Sequence, residues 1–424
     1  MIGVFQSSEI KIEEIVKRNI EESLDVSETV KTIIEDVKAR GDAALFDYCE
    51  KFDKVKLDSL LVTESEIAKA IDSVDRHFFE TLNIARENII DFHKRQANEG
   101  YVVNEKAGII LGQTVLPIEK AGIYVPGGTA GYPSSVLMNA IPALIAGVKD
   151  IVMATPCGAD GKISDVILTA AKVAGVTKIF KIGGAQAIAA LAFGTESVPK
   201  VDKITGPGNI YVATAKKMVY GSVDIDMIAG PSEILVIADQ SGNPRYIAAD
   251  MLSQAEHDKM AVAVLITDSE KLAEKVRDEI ELQLKDAARE SIARESIRKN
   301  GKIIIVKDIE EAISICNAIA PEHLEICTKK PFSILYEIKN AGCIFLGNYS
   351  PEALGDYFAG TNHILPTSGT ARFSSPLSVA DFVKRSNFVY YTKENLFDVK
   401  DRIAEFAERE GFLAHGKSVN LRFE

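Results

Sequence analysis

The sequence predicts an α/β protein with two Rossmann-like parallel sheets that lack the usual dinucleotide fingerprint, plus a short N-terminal arm and a small helical C-terminal tail. Two observations carry this. From Gly108 onward, apolar runs of strand length alternate with helix-length segments, the pattern of right-handed βαβ units. The alternation pauses at Ala229-Gly230-Pro231 and then resumes, which divides the strands into two sets.

Residues 1–20 are polar and amphipathic, with no compact unit of their own; an arm that packs on another surface and a frayed terminus fit that pattern equally. Ser27 is placed to cap a helix with apolar Val30, Ile33, Ile34 and Val37 at a 3.6 period, and Gly41 stops it. Thr63 and Glu66 form a capping box before Ile67, Ile71 and Val74. The charged stretch Arg76 to Arg95 reads as a surface helix with His77 and His93 solvated. Strands follow at 121–125, 150–154, 178–182 and 201–205, with helices at 132–146, 164–173, 185–193 and 209–220 between or after them. The second set has strands at 234–238, 261–267, 302–306 and 343–346. Its helices run from 243, from 269 to 298, from 309 to 318 and from 334 to 340. After Ser378 the chain reads as helical and charged.

With 424 residues the chain has room for more than one core. A formal net charge of −12 argues against nucleic acid or an anionic membrane as partner. The most apolar stretch, Val136 to Val148, contains Asn139 and Pro142 and is too short to span a bilayer. Met1 to Glu9 lacks the regions of a signal peptide. Five scattered cysteines without a C-x-x-C suggest a reduced, cytoplasmic protein with cysteines in its core.

Candidate chemistry gathers in a few places. Gln254 and His257, three residues apart at a helix end, can aim two ligand atoms at one metal ion, although a polar helix end with a satisfied histidine is the simpler reading of that pair alone. Three Gly-rich turns follow strands: Tyr124-Val-Pro-Gly-Gly, Gly183-Gly-Ala-Gln186 and Gly206-Pro-Gly-Asn209. That edge of a parallel sheet is where ligands bind, and helix N-termini there favour phosphates. None is G-x-G-x-x-G, and each alone is an ordinary tight turn. Together they make a shallow nucleotide site reasonable, with Tyr124 for stacking and Gln186 and Asn209 for amide hydrogen bonds. Glu322-His323 sets a carboxylate beside an imidazole, a pair suited to activating water and shuttling a proton. Asp356 and His363 share a Gly-rich loop, and Glu410 and His415 flank Gly411. Gln254, His257, Asp356 and His415 make a plausible zinc set, though sequence separation alone does not establish it.

These motifs stop being independent in one respect. Ile225 to Asp239, Leu252-Ser-Gln-Ala-Glu-His257, Gly183 to Lys203, Gly206-Pro-Gly-Asn209, Pro321-Glu-His-Leu324 and Gly355-Asp-Tyr through Gly360-Thr-Asn-His-Ile-Leu-Pro366 closely resemble histidinol dehydrogenase, in matching order from about Ala39 to Arg422. The resemblance implies oxidation of L-histidinol to L-histidine through bound L-histidinaldehyde, the last steps of histidine biosynthesis. One zinc per subunit and two NAD+ per turnover are expected with it. Gln254, His257, Asp356 and His415 match the family's metal ligands, and Glu322 and His323 its catalytic pair. His323 would take the alcohol proton and then that of the aldehyde hydrate, and Glu322 would activate the water. Ser232, His363 and Glu410 match substrate contacts, alongside the metal and catalytic residues. Tyr124, Gln186 and Asn209 match NAD contacts. The implied assembly is a homodimer in which Glu410 and His415 complete the partner's site.

The implied domains are an arm at 1–18, a larger α/β domain from 19–118 and 233–377, an NAD domain at 119–232 and a tail at 378–424. A zinc hydrolase with Glu322 as base is the main alternative from residues alone, and it leaves the three Gly-rich turns unexplained. A non-catalytic binding protein on the same scaffold is the other.

Overall fold

The computed structural model describes residues 1–11, 26–127 and 131–424. They form two compact units, one of residues 1–96 and 118–382 and one of residues 97–117 and 383–424.

The first unit holds two wholly parallel sheets. One has five strands in the order Lys178–Lys181, Asp150–Thr155, Lys120–Tyr124, Lys203–Thr205, Asp224–Ile225. The chain starts in the middle, steps outward twice, returns and steps outward on the other side. Its topological switch point therefore lies between Lys120–Tyr124 and Lys203–Thr205, the crevice where open α/β sheets bind ligands. The other sheet has six strands: Gly3–Gln6, Lys302–Ile305, Val262–Thr267, Glu233–Ala238, His323–Cys327 and Cys343–Leu346. Its order reverses between Glu233–Ala238 and His323–Cys327.

Strand alternation explains both cores. In the five-stranded sheet, Ala121, Ile123, Ile151, Met153 and Ile179 face the helices Pro133–Ala146 and Asp165–Ala174. Val152, Ala154, Phe180 and Ile204 face the helices Gly184–Phe193 and Ile210–Val219. Both faces are covered, so the middle of each longer strand, such as Ile151 to Ala154, is apolar on both sides rather than at every second position. In the six-stranded sheet, Ile234, Val236, Ala263, Leu265 and Cys327 pack toward the helix Pro244–Ala255, and Leu235, Ile237, Val264, Leu324 and Ile326 toward Ile309–Ile319. The same alternation sends His323 and Glu325 to the Pro244–Ala255 side, with Cys327.

Several expectations need correction. His323–Cys327 is an interior strand of the six-stranded sheet, absent from the strands expected at 234–238, 261–267, 302–306 and 343–346. The segment 334–340 holds one short 3₁₀ turn, Leu335–Glu337, preceded by another at Pro331–Ser333, in place of a helix. The long helix from 269 is two, Glu270–Gln283 and Glu290–Asn300, and the second docks by Ser296 Oγ donating to the Ala261 carbonyl at 2.9 Å. His93 is fully buried, with its Nδ1 2.9 Å from the Ile89 carbonyl, and burial lowers its pKa. Ser27 is the first residue of its helix, and the N-cap position is Val26. The predicted arm begins as an edge strand, Gly3–Gln6, parallel to Lys302–Ile305; the rest of that arm, like Gly128, falls largely outside the described residues.

The second unit is a correction too, because the tail is not only helical. Val383–Tyr391 pairs antiparallel with Ile109–Pro117, which pairs with Tyr101–Val103. The helices Lys393–Arg409 and Leu413–Asn420 follow. Among the described residues no helix is long and apolar enough to cross a membrane.

Candidate functional site

One cluster grows from the amino ends of Glu233–Ala238 and His323–Cys327. Parallel pairing sets His323 opposite Ile234 and so beside Glu233. His323 Nδ1 lies 3.0 Å from the Glu233 carbonyl oxygen, and the Glu233 amide donates to Glu322 Oε2 at 2.8 Å. A carbonyl only accepts, so Nδ1 carries the proton and the neutral ring keeps its lone pair on Nε2. That Nε2 is buried and has no hydrogen-bond partner. It points at two carboxylates, 3.8 Å from Asp356 Oδ1 and 4.0 Å from Glu352 Oε1. The ring stacks near Phe345, at 6.1 Å between centroids.

Glu352 and Asp356 share the one-turn helix Glu352–Tyr357, one helical turn apart and on one face. Ser253 Oγ donates to Glu352 Oε2 at 3.0 Å. With its amide turned so that nitrogen faces the carboxylate, Gln254 donates to Glu352 Oε1 at 3.0 Å and accepts from the Glu233 amide at 3.3 Å. His363 Nδ1–H donates to the Asp356 carbonyl at 3.0 Å and its Nε2 lies 3.4 Å from Ser135 Oγ, which fixes the loop carrying Asp356. Gly360, at φ +96°, lets this loop pass: a Cβ there would meet the Asn88 carbonyl oxygen at 2.4 Å.

The site is crowded with acidic groups, and burial holds several of them toward the neutral form. Burial raises Glu322 to about 8 and Glu352 to about 7. Burial alone would lower His323, but Glu322, Asp356 and Glu352 outweigh it and lift the imidazole to about 10. Beneath them Glu325 is buried, and burial together with Asp250 pushes its pKa well up; its Oε1 accepts from the Glu352 amide at 2.8 Å. His257 follows the helix Pro244–Ala255 and is exposed. Its crowded surroundings lower its pKa, opposed by the charge of Asp356. Ser232 precedes Glu233 and its carbonyl accepts from the Val262 amide at 3.0 Å.

These residues fit a divalent cation. Ligand atoms of His323, Glu352 and Asp356 lie within 4.8 Å of one another; this cluster shares only Asp356 with the set Gln254, His257, Asp356 and His415 expected for zinc, and its orphaned imidazole nitrogen faces the carboxylate oxygens. Imidazole, carboxylate and amide oxygen are donors that zinc accepts. The chain thus brings Gln254, Glu322, His323, Asp356 and His363 together, with His257 within electrostatic reach. Glu410 and His415 lie in the second unit, both exposed, on either side of the turn at Gly411.

A second candidate site lies at the switch point of the five-stranded sheet. Tyr124 Oη accepts from the Gly184 amide at 3.0 Å, at the start of the helix Gly184–Phe193. The Tyr124 ring is buried, so it offers a ligand its hydroxyl proton and not a stacking face. A Cβ on Gly206 would lie 2.0 Å from the Tyr124 carbonyl oxygen, so only glycine lets the Gly206–Asn209 turn seat there. Cβ atoms on Gly127 and Gly183 would strike Pro156 at 2.4 and 2.7 Å. Gln186 is buried, and Asn209 is exposed with its Oδ1 capping Tyr211 and Val212 amides at 3.1 and 3.2 Å. Two helix N-termini and glycine backbones at one sheet edge fit a pyrophosphate-bearing ligand such as NAD.

Residues that the motifs missed are Glu352, Glu325 and Glu233. Glu352 lies one helical turn before Asp356, and Glu325 is one strand repeat after His323, so both could be found once the elements were known.

The sequence profile of the histidinol dehydrogenase family matches residues 16–423. The chain is 57% identical to a histidinol dehydrogenase of Clostridium acetobutylicum over 408 residues, 96% of this chain and 95% of that protein. It is 56% identical to one from Listeria monocytogenes over 417 residues, covering 98% and 96%. The crystal structure of histidinol dehydrogenase from Elizabethkingia anophelis superposes with a TM-score of 0.94 at 39% identity, over 100% of this chain and 98% of that one.

Proposed function

The chain belongs to the histidinol dehydrogenase family of oxidoreductases, and from that premise we propose that it converts L-histidinol to L-histidine by two successive NAD+-dependent oxidations at a zinc-holding site. The observation that carries this reading is His323: its Nδ1 is tied to a carbonyl, and its Nε2 is buried, unpartnered and aimed into a cluster of cation-binding oxygens.

Gln254, His257 and Asp356 would hold the metal, with His415 supplied by the partner subunit's copy of the tail. Zinc bound there supplies an anchor for the imidazole and amine of the substrate. A cation among these carboxylates also offsets the charge that lifts His323, which returns its Nε2 lone pair to use near neutral pH. Ser232, Glu322, His363 and Glu410 complete the substrate contacts. NAD+ would bind through Tyr124, Gln186 and Asn209 and accept hydride.

In the first oxidation His323 Nε2 removes the hydroxyl proton as the carbon gives up hydride, leaving the aldehyde and one NADH. Glu322 then takes a proton from water as it adds to the aldehyde, and the proton held on His323 passes to the carbonyl oxygen, which gives the hydrate and frees Nε2 again. His323 accepts the hydroxyl proton of the resulting hydrate in the second oxidation, which yields the carboxylate and a second NADH. Keeping the aldehyde bound between steps shields it from side reactions. We place the enzyme in the cytoplasm as a homodimer, with neither nucleic acid nor membrane as partner.

The test is product analysis in the presence of an aldehyde-trapping hydrazine. One L-histidine per L-histidinol with no trapped aldehyde supports the reading. Stoichiometric hydrazone in place of histidine would sink it.

A further inference from the structure

One buried ion pair lies outside the cluster described above, and it grips a single residue of the Gly206–Asn209 turn. Lys216, on the helix Ile210–Val219, and Asp226, just after the strand Asp224–Ile225, have side chains 2% and 1% exposed and bond to each other through Nζ and Oδ1. Lys216 Nζ also donates to the Gly206 carbonyl at 2.9 Å, and the Gly206 amide donates to Asp226 Oδ2 at 2.7 Å. Both polar groups of Gly206 are therefore held by opposite full charges. The Met227 amide donates to Asp226 Oδ1 at 2.6 Å and fixes the carboxylate in turn.

A buried pair of this kind seldom adds stability over apolar residues of the same shape, because desolvating both charges costs about what their attraction returns. What it does provide is placement. Gly206 sits at φ +114° with its backbone against the Tyr124 carbonyl, and three residues later Asn209 starts the helix. We infer that Lys216 and Asp226 are positioning residues that hold the Gly206–Asn209 turn in the conformation that receives the pyrophosphate or ribose of NAD. This rests on the reading of that turn as part of the NAD site. Neither side chain touches the cofactor, and both act through the Gly206 backbone.

Removing one partner would leave the other charged and unpaired in the interior, so the informative variant is the double substitution Lys216→Met with Asp226→Asn. Three measurements on the purified enzyme decide the matter: NADH affinity from its own fluorescence, amide hydrogen exchange over residues 205–211, and KM for NAD+ against kcat. The expected result is an affinity for NADH weakened about tenfold, equal to ~1.4 kcal/mol. KM for NAD+ should rise in step, kcat should fall less than about threefold by the same arithmetic, and exchange should be faster over 205–211 alone. If the double variant does not fold, Asp226→Glu keeps the pair while displacing Gly206, and the same pattern is expected. Unchanged NADH affinity and exchange in the folded variant would overturn the proposal. Asn209→Ala separates this from the underlying reading. If that variant binds NADH normally, the turn is not part of the NAD site; if it binds weakly while the Lys216/Asp226 variant binds normally, only the positioning role fails.

Discussion

His323 is anchored through the backbone of Glu233: its Nδ1 lies 3.0 Å from the Glu233 carbonyl oxygen, on the neighbouring strand of the six-stranded sheet. The same residue's amide holds Glu322 at 2.8 Å. One strand end therefore orients both members of the proposed catalytic pair. A histidine so fixed presents one nitrogen in one direction, which is what a base needs if it is to serve two oxidations without the substrate leaving.

The first prediction follows from that anchoring. His323→Gln removes the Nε2 lone pair while keeping a polar side chain of similar reach. Turnover should fall by about 10²–10⁴-fold, the range for loss of a general base, with zinc content unchanged by metal analysis. Near-full activity would exclude His323 as the base.

The second concerns Asp356 and Glu352. Asp356→Ala deletes a proposed ligand and should give protein that purifies without zinc. Glu352→Gln keeps the shape but weakens the acceptor for Gln254 and Ser253, which lie 3.0 Å from its two oxygens. Loss of such a supporting group typically lowers metal affinity about 10- to 100-fold. A chelator competition series reads both, and zinc affinity equal to wild type in Asp356→Ala would refute the ligand assignment.

The cysteines set up the third. Cys49, Cys157, Cys316 and Cys327 are buried and Cys343 nearly so, and burial raises Cys49 and Cys316 to about 12 and Cys343 to about 11. Folded enzyme at pH 8 should resist alkylation by iodoacetamide while retaining activity. The sign for stability is also fixed. Above the unfolded thiol's pKa of about 8.5, the unfolded chain releases protons that the folded chain keeps, so stability falls as pH rises. Denaturant midpoints at pH 8 and pH 10 check it, and a higher midpoint at pH 10 would contradict it.

How much of this was legible in the sequence differs by element. The covered strands, such as Asp150–Thr155 and Val262–Thr267, are continuous apolar runs between helices, and the chain states them outright. His323–Cys327 is different: buried His323 and Glu325 interrupt its apolar pattern because they belong to the site, so local polarity masked a central strand. Val383–Tyr391 was hidden for the opposite reason, since it is exposed along most of its length and has no face to alternate. His93 lies in a charged helix whose buried positions, Leu82, Ala85, Ile89 and His93, follow the helical period through a histidine. At the site, Gln254, Glu322, His323 and Asp356 were named from motifs. Glu352 and Glu233 act on those residues through contacts that only the fold brings together.

The most direct measurement is NADH formed per L-histidinol consumed, before and after chelation. The account predicts two NADH per histidinol, lost when zinc is stripped and restored when zinc is returned. One NADH per histidinol, or an unchanged yield in metal-free enzyme, would contradict it.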